Sequence, residues 1–177
     1  MKGQSPDTSS RGTEGSSSMI NQLKQFVPSS VCLACDGCCR VDLADSPWRP
    51  KVGQQEAQDG VDQTGYVKTI PQDGHHQCVF FNKTDNTCGV YAKRPFECAL
   101  YPFVLSQSSR GLEMYVHLAC PYVQEHQLSP QFQEHTAYLK KFFSQPETKV
   151  YLKNNNRLLH EYTPHQQELR FLFTVEV

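Results

Sequence analysis

The sequence predicts a small, loop-rich α+β domain in which short β-hairpins are followed by covering C-terminal helices. Short β-prone runs occupy residues 66–118, and apolar residues recur at helical spacing after residue 129. Between them and the N-terminal part, residues 42–65 are rich in Gly, Pro, Gln and Asp, a composition typical of loops. A chain of 177 residues suits one domain better than two.

The chain is predicted to divide into a tail and a single domain. Residues 1–18 are dominated by Ser, Gly, Thr and charged residues, which cannot bury enough apolar surface to offset the entropy of ordering. We therefore expect a disordered N-terminal tail over 1–18 and one domain over 19–177. Its first element is expected to be a short amphipathic helix carrying Ile20, Leu23, Phe26 and Val27, ended by Pro28.

Two hairpins and at least two helices follow. The runs CVFF and TCGVY flank a polar turn at 82–86, and the runs FVLSQ and LEMYVHL flank a second turn at 108–111. Ser129 is a candidate N-cap with Pro130 at the first helical position, and Pro146 opens another helical segment. Strict alternation of apolar residues over 169–177 predicts a final strand, although residues 163–166 resemble a capping box.

Charge and hydropathy exclude several functions. With 17 Lys and Arg against 18 Asp and Glu, the net charge is −1, which is not that of a protein that binds nucleic acid through a broad basic surface. No apolar run approaches the roughly 18 residues that span a bilayer, and no secretory signal is visible. We expect a cytoplasmic protein without nucleic-acid or membrane partners; protein partners cannot be read from the sequence.

The eight cysteines carry the main functional signal. All lie between residues 32 and 120, and four occur within CLACDGCC. In a reducing compartment, such a cluster indicates metal ligation rather than disulfide cross-linking. We predict that all eight are metal ligands, which makes the fold metal-stabilised: Cys32, Cys35, Cys38, Cys39, Cys78, Cys88, Cys98 and Cys120.

The spacing leaves the number of centres open. A C-x-x-C turn directs two sulfurs to one metal, as in zinc sites and iron–sulfur loops. Cys38 and Cys39 are adjacent, and successive side chains diverge, so they can serve different centres. Eight thiolates can fill two four-cysteine sites, with zinc or with 4Fe–4S clusters. One centre accompanied by structural or redox-active cysteines is the alternative.

These motifs resemble a known family. CLACDGCC, then Cys78, Cys88, Arg94-Pro95 before Cys98, then Tyr101-Pro102-Phe103 and Cys120 are similar to the zinc- or iron-chelating cysteine-cluster family named for its CxxCxxCC motif. The resemblance covers residues 32–120 and implies a small cytoplasmic protein with bound zinc, iron or an iron–sulfur centre. A similar cysteine domain occurs in flagellin lysine methylase, where an iron–sulfur centre is implicated in methyl transfer. Only the ligand cysteines carry over.

Two function classes follow. The first is a metal-chelating protein whose zinc or iron stabilises the domain. The second is an iron–sulfur-dependent redox or group-transfer enzyme, of a methyl-transfer kind, or an accessory factor. A metal chaperone that exchanges thiolates is a third. No catalytic motif points to a reaction, and no catalytic residue is assigned.

Several residues near the cysteines have predicted roles of their own. Arg94 either offsets thiolate charge or packs structurally beside Pro95, and Tyr101-Pro102-Phe103 is expected to cover the site as an apolar wedge. His75 and His76 are less favoured as nitrogen ligands than as loop residues. Asp36 is assigned to turn chemistry, Trp48 to core or loop packing and His117 to packing. The remaining histidines are predicted to face solvent: His126, His135, His160 and His165.

Overall fold

The computed structural model describes residues 22–35, 37–54, 56 and 59–176. The predicted tail over 1–18 and Asp36 lie outside the described residues. The elements confirm an α+β fold with short antiparallel sheets and C-terminal helices. None of the described helices is both long and apolar enough to cross a membrane.

The N-terminal half consists of short elements joined by loops. They are α1 Ser29–Ala34, β1 Arg40–Val41, β2 Thr69–Gln72, β3 His75–Cys78, β4 Phe81–Asn82, β5 Thr87–Cys88 and α2 Phe96–Leu100. Strands β1, β3 and β2 form one antiparallel sheet, and β4 and β5 form the predicted hairpin with Phe81 opposite Cys88. In the loop-rich stretch before residue 66, the described residues form isolated bridges, such as that between Lys51 and Tyr66.

The C-terminal half carries the larger sheet and the longer helices. They are β6 Phe103–Ser108, β7 Gly111–His117, α3 Pro121–His126, α4 Pro130–Ser144, α5 Pro146–Asn154 and β8 Leu169–Val175. The strand order is β6-β7-β8, and all neighbours are antiparallel. The second hairpin and the final strand are therefore confirmed. Residues 163–168 form 3₁₀ turns rather than a capped α-helix.

The N-terminal cap of α4 is the predicted one. The Ser129 hydroxyl accepts a hydrogen bond from the Phe132 backbone amide at 3.2 Å, and Pro130 occupies the first turn. Because an N-cap oxygen satisfies a backbone amide that the helix cannot, it stabilises this helix by about 1 kcal/mol. Phe132, Leu139, Phe142 and Phe143 form the buried face of α4 and pack into the main core.

The first predicted helix is wrong across residues 23–28. Leu23 and Val27 are buried as expected, but Leu23 to Pro28 are not helical. Pro28 instead precedes α1, and its carbonyl accepts hydrogen bonds from the amides of Val31 and Cys32 at 2.9 Å. Proline therefore begins a helix here instead of ending one, since its fixed φ suits a helix start. That helix carries the first cysteine.

Candidate metal centres

The cysteines are held at the ends of short elements. Cys32 lies on α1, Cys35 directly follows it, and Cys38 and Cys39 lie in a 3₁₀ turn over Gly37–Cys39. Cys78 and Cys88 end strands β3 and β5, Cys98 lies on α2, and Cys120 immediately precedes α3. All eight are free thiols. Six separate elements thus converge on one region, which explains why the ligands are dispersed in the sequence.

Two cavities border this region. One, here called the cleft, has a volume of about 470 Å³ and is the only one of the two bordered by Cys35 and Cys120. The other, here called the core pocket, has a volume of about 100 Å³ and is the only one bordered by Cys39, Cys78 and Cys88. The remaining three cysteines, Cys32, Cys38 and Cys98, border both cavities.

Electrostatic coupling links two of these three shared cysteines to neighbouring thiols. The pKa of Cys98 is raised well above its usual value, first by burial and then by the thiolates of Cys38, Cys78 and Cys88. The pKa of Cys32 is raised by burial and by Cys38 and Cys35, and Arg94 opposes the shift. Cys98 is thus coupled to Cys38 and to two thiols of the core pocket, and Cys32 is coupled to Cys38 and to Cys35 of the cleft.

Cys38 lies between the two sets. It forms a thiol hydrogen bond with Cys39, which together with burial raises the pKa of Cys39 far above its usual value. It also couples to Cys120, whose pKa is raised by burial and by Cys35 and Cys38. Cys38 also raises the pKa of Cys78 and Cys98, so it is coupled to thiols around both cavities. We name Cys32, Cys35, Cys38 and Cys120 the cleft group, and Cys39, Cys78, Cys88 and Cys98 the core group.

The chemistry of both groups fits a soft metal ion. Buried thiols that raise one another's pKa resist ionising together, and a bound cation removes that penalty by compensating the charge. Sulfur ligands without a hard oxygen partner select zinc or iron over magnesium or calcium. Among the described residues, no three His, Cys, Asp or Glu side chains already stand at metal-binding distances from one another.

Arg94 supplies positive charge beside Cys32 and borders the core pocket. Its guanidinium stacks 4.1 Å from the centre of the Tyr91 ring and donates to the Gln25 side-chain oxygen at 2.8 Å. It also lowers the pKa of Cys32. Both roles predicted for Arg94 therefore occur together: the side chain is packed and it offsets thiolate charge.

A polar chain crosses the cleft from the cysteines to the surface. The Tyr101 hydroxyl lies 3.2 Å from His117 Nδ1, and His117 Nε2 lies 3.5 Å from a carboxylate oxygen of Glu168. With Glu168 as acceptor, Nε2 carries the proton and Nδ1 accepts from Tyr101. Trp48 stacks on His117 with ring centroids 3.9 Å apart, which fixes the imidazole plane. Trp48 and His117 therefore pack as predicted, and His117 also forms hydrogen bonds with Tyr101 and Glu168.

Two glutamates that the sequence analysis did not single out support the core group. Glu97 is next to Cys98; its carboxylate accepts the Lys51 backbone amide at 2.6 Å and lies 3.2 Å from His160 Nε2. Glu56 is buried and accepts the Phe96 backbone amide at 2.8 Å, at the start of α2. The position of Glu97 beside a cysteine was a usable signal. Glu56 lies in a loop forty residues away from Phe96 and offered none.

The histidines divide differently from the prediction. His75 is exposed and lies 3.4 Å from the Asp42 carboxylate, and neither His75 nor His76 borders either cavity. His135, predicted to face solvent, instead packs against the rings of Phe26 and Phe103. His160 is likewise partly buried, through its contact with Glu97. Of the Tyr101-Pro102-Phe103 segment, Phe103 lies in the core as expected, and Tyr101 packs against that core while its hydroxyl lies 3.2 Å from His117 Nδ1.

Comparison with known proteins identifies the family. The family model CxxCxxCC, described as "Putative zinc- or iron-chelating domain", matches residues 31–129, which is more than half of the chain. The chain therefore belongs to this family, and the cofactor of its cysteine domain is zinc or iron. No curated protein and no solved structure matches the chain.

Proposed function

We propose that the protein is a metal-chelating cysteine-cluster protein that holds two metal centres through eight thiolates. The cleft group forms one centre and the core group forms the other. The observation that supports this proposal is the lining of the two cavities by eight free thiols: Cys35 and Cys120 border the cleft alone, Cys39, Cys78 and Cys88 border the core pocket alone, and the other three border both. Four thiolates satisfy either a tetrahedral zinc ion or a 4Fe–4S cluster.

The residues around the thiols support this assignment. Arg94 offsets charge at the cleft group, and Glu56 and Glu97 hold the helix that presents Cys98. Zinc or iron, once bound, would cross-link the short elements that carry the cysteines, so that metal binding contributes to the free energy of folding. Free thiols and a near-neutral net charge fit a cytoplasmic protein whose function requires neither a membrane nor a nucleic acid.

A second candidate function is an iron–sulfur-dependent redox or group-transfer enzyme or accessory factor. The cleft favours it, because about 470 Å³ lies within the roughly 300–1,000 Å³ range of small-molecule sites. Tyr101, His117 and Glu168 would then present hydrogen-bonding groups to a ligand next to the cleft group. In this reading, the cluster supplies electrons or a coordination site, and the residues of the cleft bind and orient the ligand.

Anaerobic purification tests both readings. We expect either two zinc ions per chain and no colour, or a brown protein with iron and acid-labile sulfide. Cys120→Ser and Cys88→Ser should each remove one centre, and the double variant should remove both. His75→Gln, which changes an exposed potential ligand, is the matched control and should retain full metal content. A colourless, zinc-loaded protein would exclude the redox candidate, and a protein that binds no metal would refute the proposal.

A further inference from the structure

A short segment before the family domain is held against the cysteine-bearing half. Residues 22–28 precede the matched residues 31–129 and lie outside the regular elements that carry the thiols. Leu23 and Val27 are buried and anchor the segment in the main core. Gln25 lies between these two anchors and is half-buried. The backbone on both sides of Gln25 is therefore fixed, and its side chain has a defined position.

The side chain of Gln25 links an arginine to a cysteine. Its oxygen accepts hydrogen bonds from the Arg94 guanidinium at 2.8 Å and from the Tyr91 hydroxyl at 3.2 Å. Because the oxygen accepts both bonds, the amide N–H groups are left to donate, and Gln25 also hydrogen-bonds to Cys32, which lowers the pKa of that thiol. The Tyr91 hydroxyl lies 3.0 Å from Oγ of Ser29, the first residue of the helix that carries Cys32. Arginine, glutamine and cysteine thus form one connected network.

The Arg94 guanidinium has a donor that is not used within the described part of the chain. Its Nε–H is buried and finds no acceptor there. Arg94 borders the core pocket together with Cys32, Cys38, Cys39, Cys78, Cys88 and Cys98. A buried N–H without an acceptor is destabilising, and sulfur atoms are the acceptors that this pocket offers. The unused donor therefore points to a sulfur partner in the completed site.

Arg49 provides a comparison within the same molecule. Its guanidinium also stacks on a tyrosine, 4.7 Å from the centre of the Tyr66 ring, and its Nε is likewise buried without a partner among the described residues. However, Arg49 forms an ion pair with Asp62 at 2.8 Å and borders neither cavity. Across residues 22–35, 37–54, 56 and 59–176, no carboxylate forms an ion pair with Arg94. Its charge is thus available to the thiolates.

We infer that Gln25 and Arg94 are positioning residues of the metal centre that contains Cys32: the Gln25 amide donates to the Cys32 thiolate, and the Arg94 Nε–H donates to a sulfur atom of the same centre. This inference rests on the proposed function, since it needs Cys32 to bind metal, and it does not depend on how the eight thiols are grouped. Thiolates around a divalent ion carry excess negative charge, which the two donors and the guanidinium offset.

Competition for zinc between the full-length chain and a chelator tests the inference. Cys32→Ser identifies the ion concerned, because it removes that ion. Gln25→Glu keeps an acceptor for Arg94 and removes the N–H that donates to Cys32, and Arg94→Lys keeps the charge and removes the Nε donor. Each should weaken binding of this ion about 10- to 100-fold. Arg49→Lys makes the same change away from both cavities and should match the parent protein.

A spectrum of the cobalt-substituted protein separates hydrogen bonding from a general loss of stability. The sulfur-to-cobalt charge-transfer band reports the electron density on the thiolates. Because losing an N–H donor raises that density, the band should move to longer wavelength in Gln25→Glu and Arg94→Lys and stay in place in Arg49→Lys.

Two results would overturn the inference and leave the proposed function intact. One is parental zinc affinity and band position in either Gln25→Glu or Arg94→Lys. The other is an equal loss of affinity in Arg49→Lys, which would show that any change at a stacked arginine weakens the fold. A parent protein that binds no metal, or a Cys32→Ser variant that binds as much metal as the parent, would refute the assignment of Cys32 as a ligand in the proposed function.

Discussion

The side chain of Glu56 caps the helix that presents Cys98. One carboxylate oxygen accepts the Phe96 backbone amide at 2.8 Å, and the other accepts the Gly53 amide at 2.7 Å. The residue before this helix, Pro95, provides no side-chain cap of its own. The burial that raises the pKa of Glu56 is opposed by these two amides and by the Tyr151 hydroxyl. A loop residue thus performs, through space, the role that an N-cap residue usually performs within the helix.

Glu56→Gln tests whether this cap positions Cys98. An amide cannot accept both backbone hydrogen bonds, so one buried N–H loses its partner and stability falls by about 1–3 kcal/mol. Under the proposed grouping, we expect zinc release from the core group to accelerate at least tenfold while release from the cleft group is unchanged. Chelator kinetics and denaturant unfolding measure the two effects. Glu134→Gln, on the exposed face of α4, is the control. Equal acceleration of release from both groups would show a general loss of stability instead.

Metal binding is expected to release protons. Burial raises the pKa of Cys32, Cys78, Cys98 and Cys120, so these thiols carry protons at neutral pH in the metal-free protein. Because the metal binds thiolates, its apparent affinity should fall as pH is lowered. Titration of zinc into the metal-free protein in weak buffer should release more than two protons per ion. A pH-independent affinity between pH 8 and 6 would contradict this prediction.

His135 should make the fold sensitive to mild acid. Burial and the nearby charge of Lys24 lower its pKa to about 4, against 6.5 for an ordinary histidine. Between these two pKa values, His135 is protonated in the unfolded chain but not in the folded protein. The free energy of unfolding therefore falls as pH drops from 6.5 towards 4. His135→Phe should lose less stability over that interval than the parent protein, as measured by denaturant unfolding.

The control for this comparison is His75→Gln, which changes an exposed histidine. Its loss of stability between pH 6.5 and 4 should match that of the parent. Because both variants retain every cysteine, acid-induced metal loss affects them equally, and the difference between them reports His135. Identical pH profiles for His135→Phe and the parent would refute the assignment.

Gly53 is required for close packing against Asn155. A Cβ atom at position 53 would overlap the Asn155 side-chain oxygen, and that side chain is fully buried. Gly53→Ala should therefore destabilise the fold by about 1–3 kcal/mol, as overpacking does elsewhere. Gly89→Ala is the control, since its Cβ would make only an ordinary contact with the Phe80 carbonyl at 3.5 Å. In thermal unfolding, Gly53→Ala should have a clearly lower midpoint temperature than Gly89→Ala.

The regular elements were largely predictable from local sequence signals. Ser129-Pro130 fixes the start of α4, and the alternation over 169–177 gives β8, because capping and side-chain periodicity are local properties. The helix expected before Pro28 was wrong because proline suits a helix start as well as a helix end. Only the hydrogen bonds from Val31 and Cys32 to the Pro28 carbonyl resolve that choice.

The sequence alone predicted which cysteines form the candidate site, but not which of them share a cavity. Cysteine spacing points to metal binding, but which thiols share a cavity depends on how α2 and β3 are placed against the 3₁₀ turn of Cys38 and Cys39. The same holds for His135, whose polar ring looked solvent-facing in the helical pattern. Its burial arises from Phe26, which lies more than a hundred residues earlier in the chain. Contacts between residues so far apart in the sequence cannot be detected from a short stretch of sequence.

Because Cys120 is the last cysteine in the chain, the two cysteine groups are completed at different stages of synthesis. Under the proposed grouping, all four cysteines of the core group lie before the end of α2. They are therefore synthesised before the β6–β7 hairpin. The cleft group lacks its fourth thiol until that hairpin has been completed, because Cys120 follows β7. A nascent chain therefore passes through a stage at which one centre can close and the other is one ligand short. Synthesis itself would complete the core group before the cleft group.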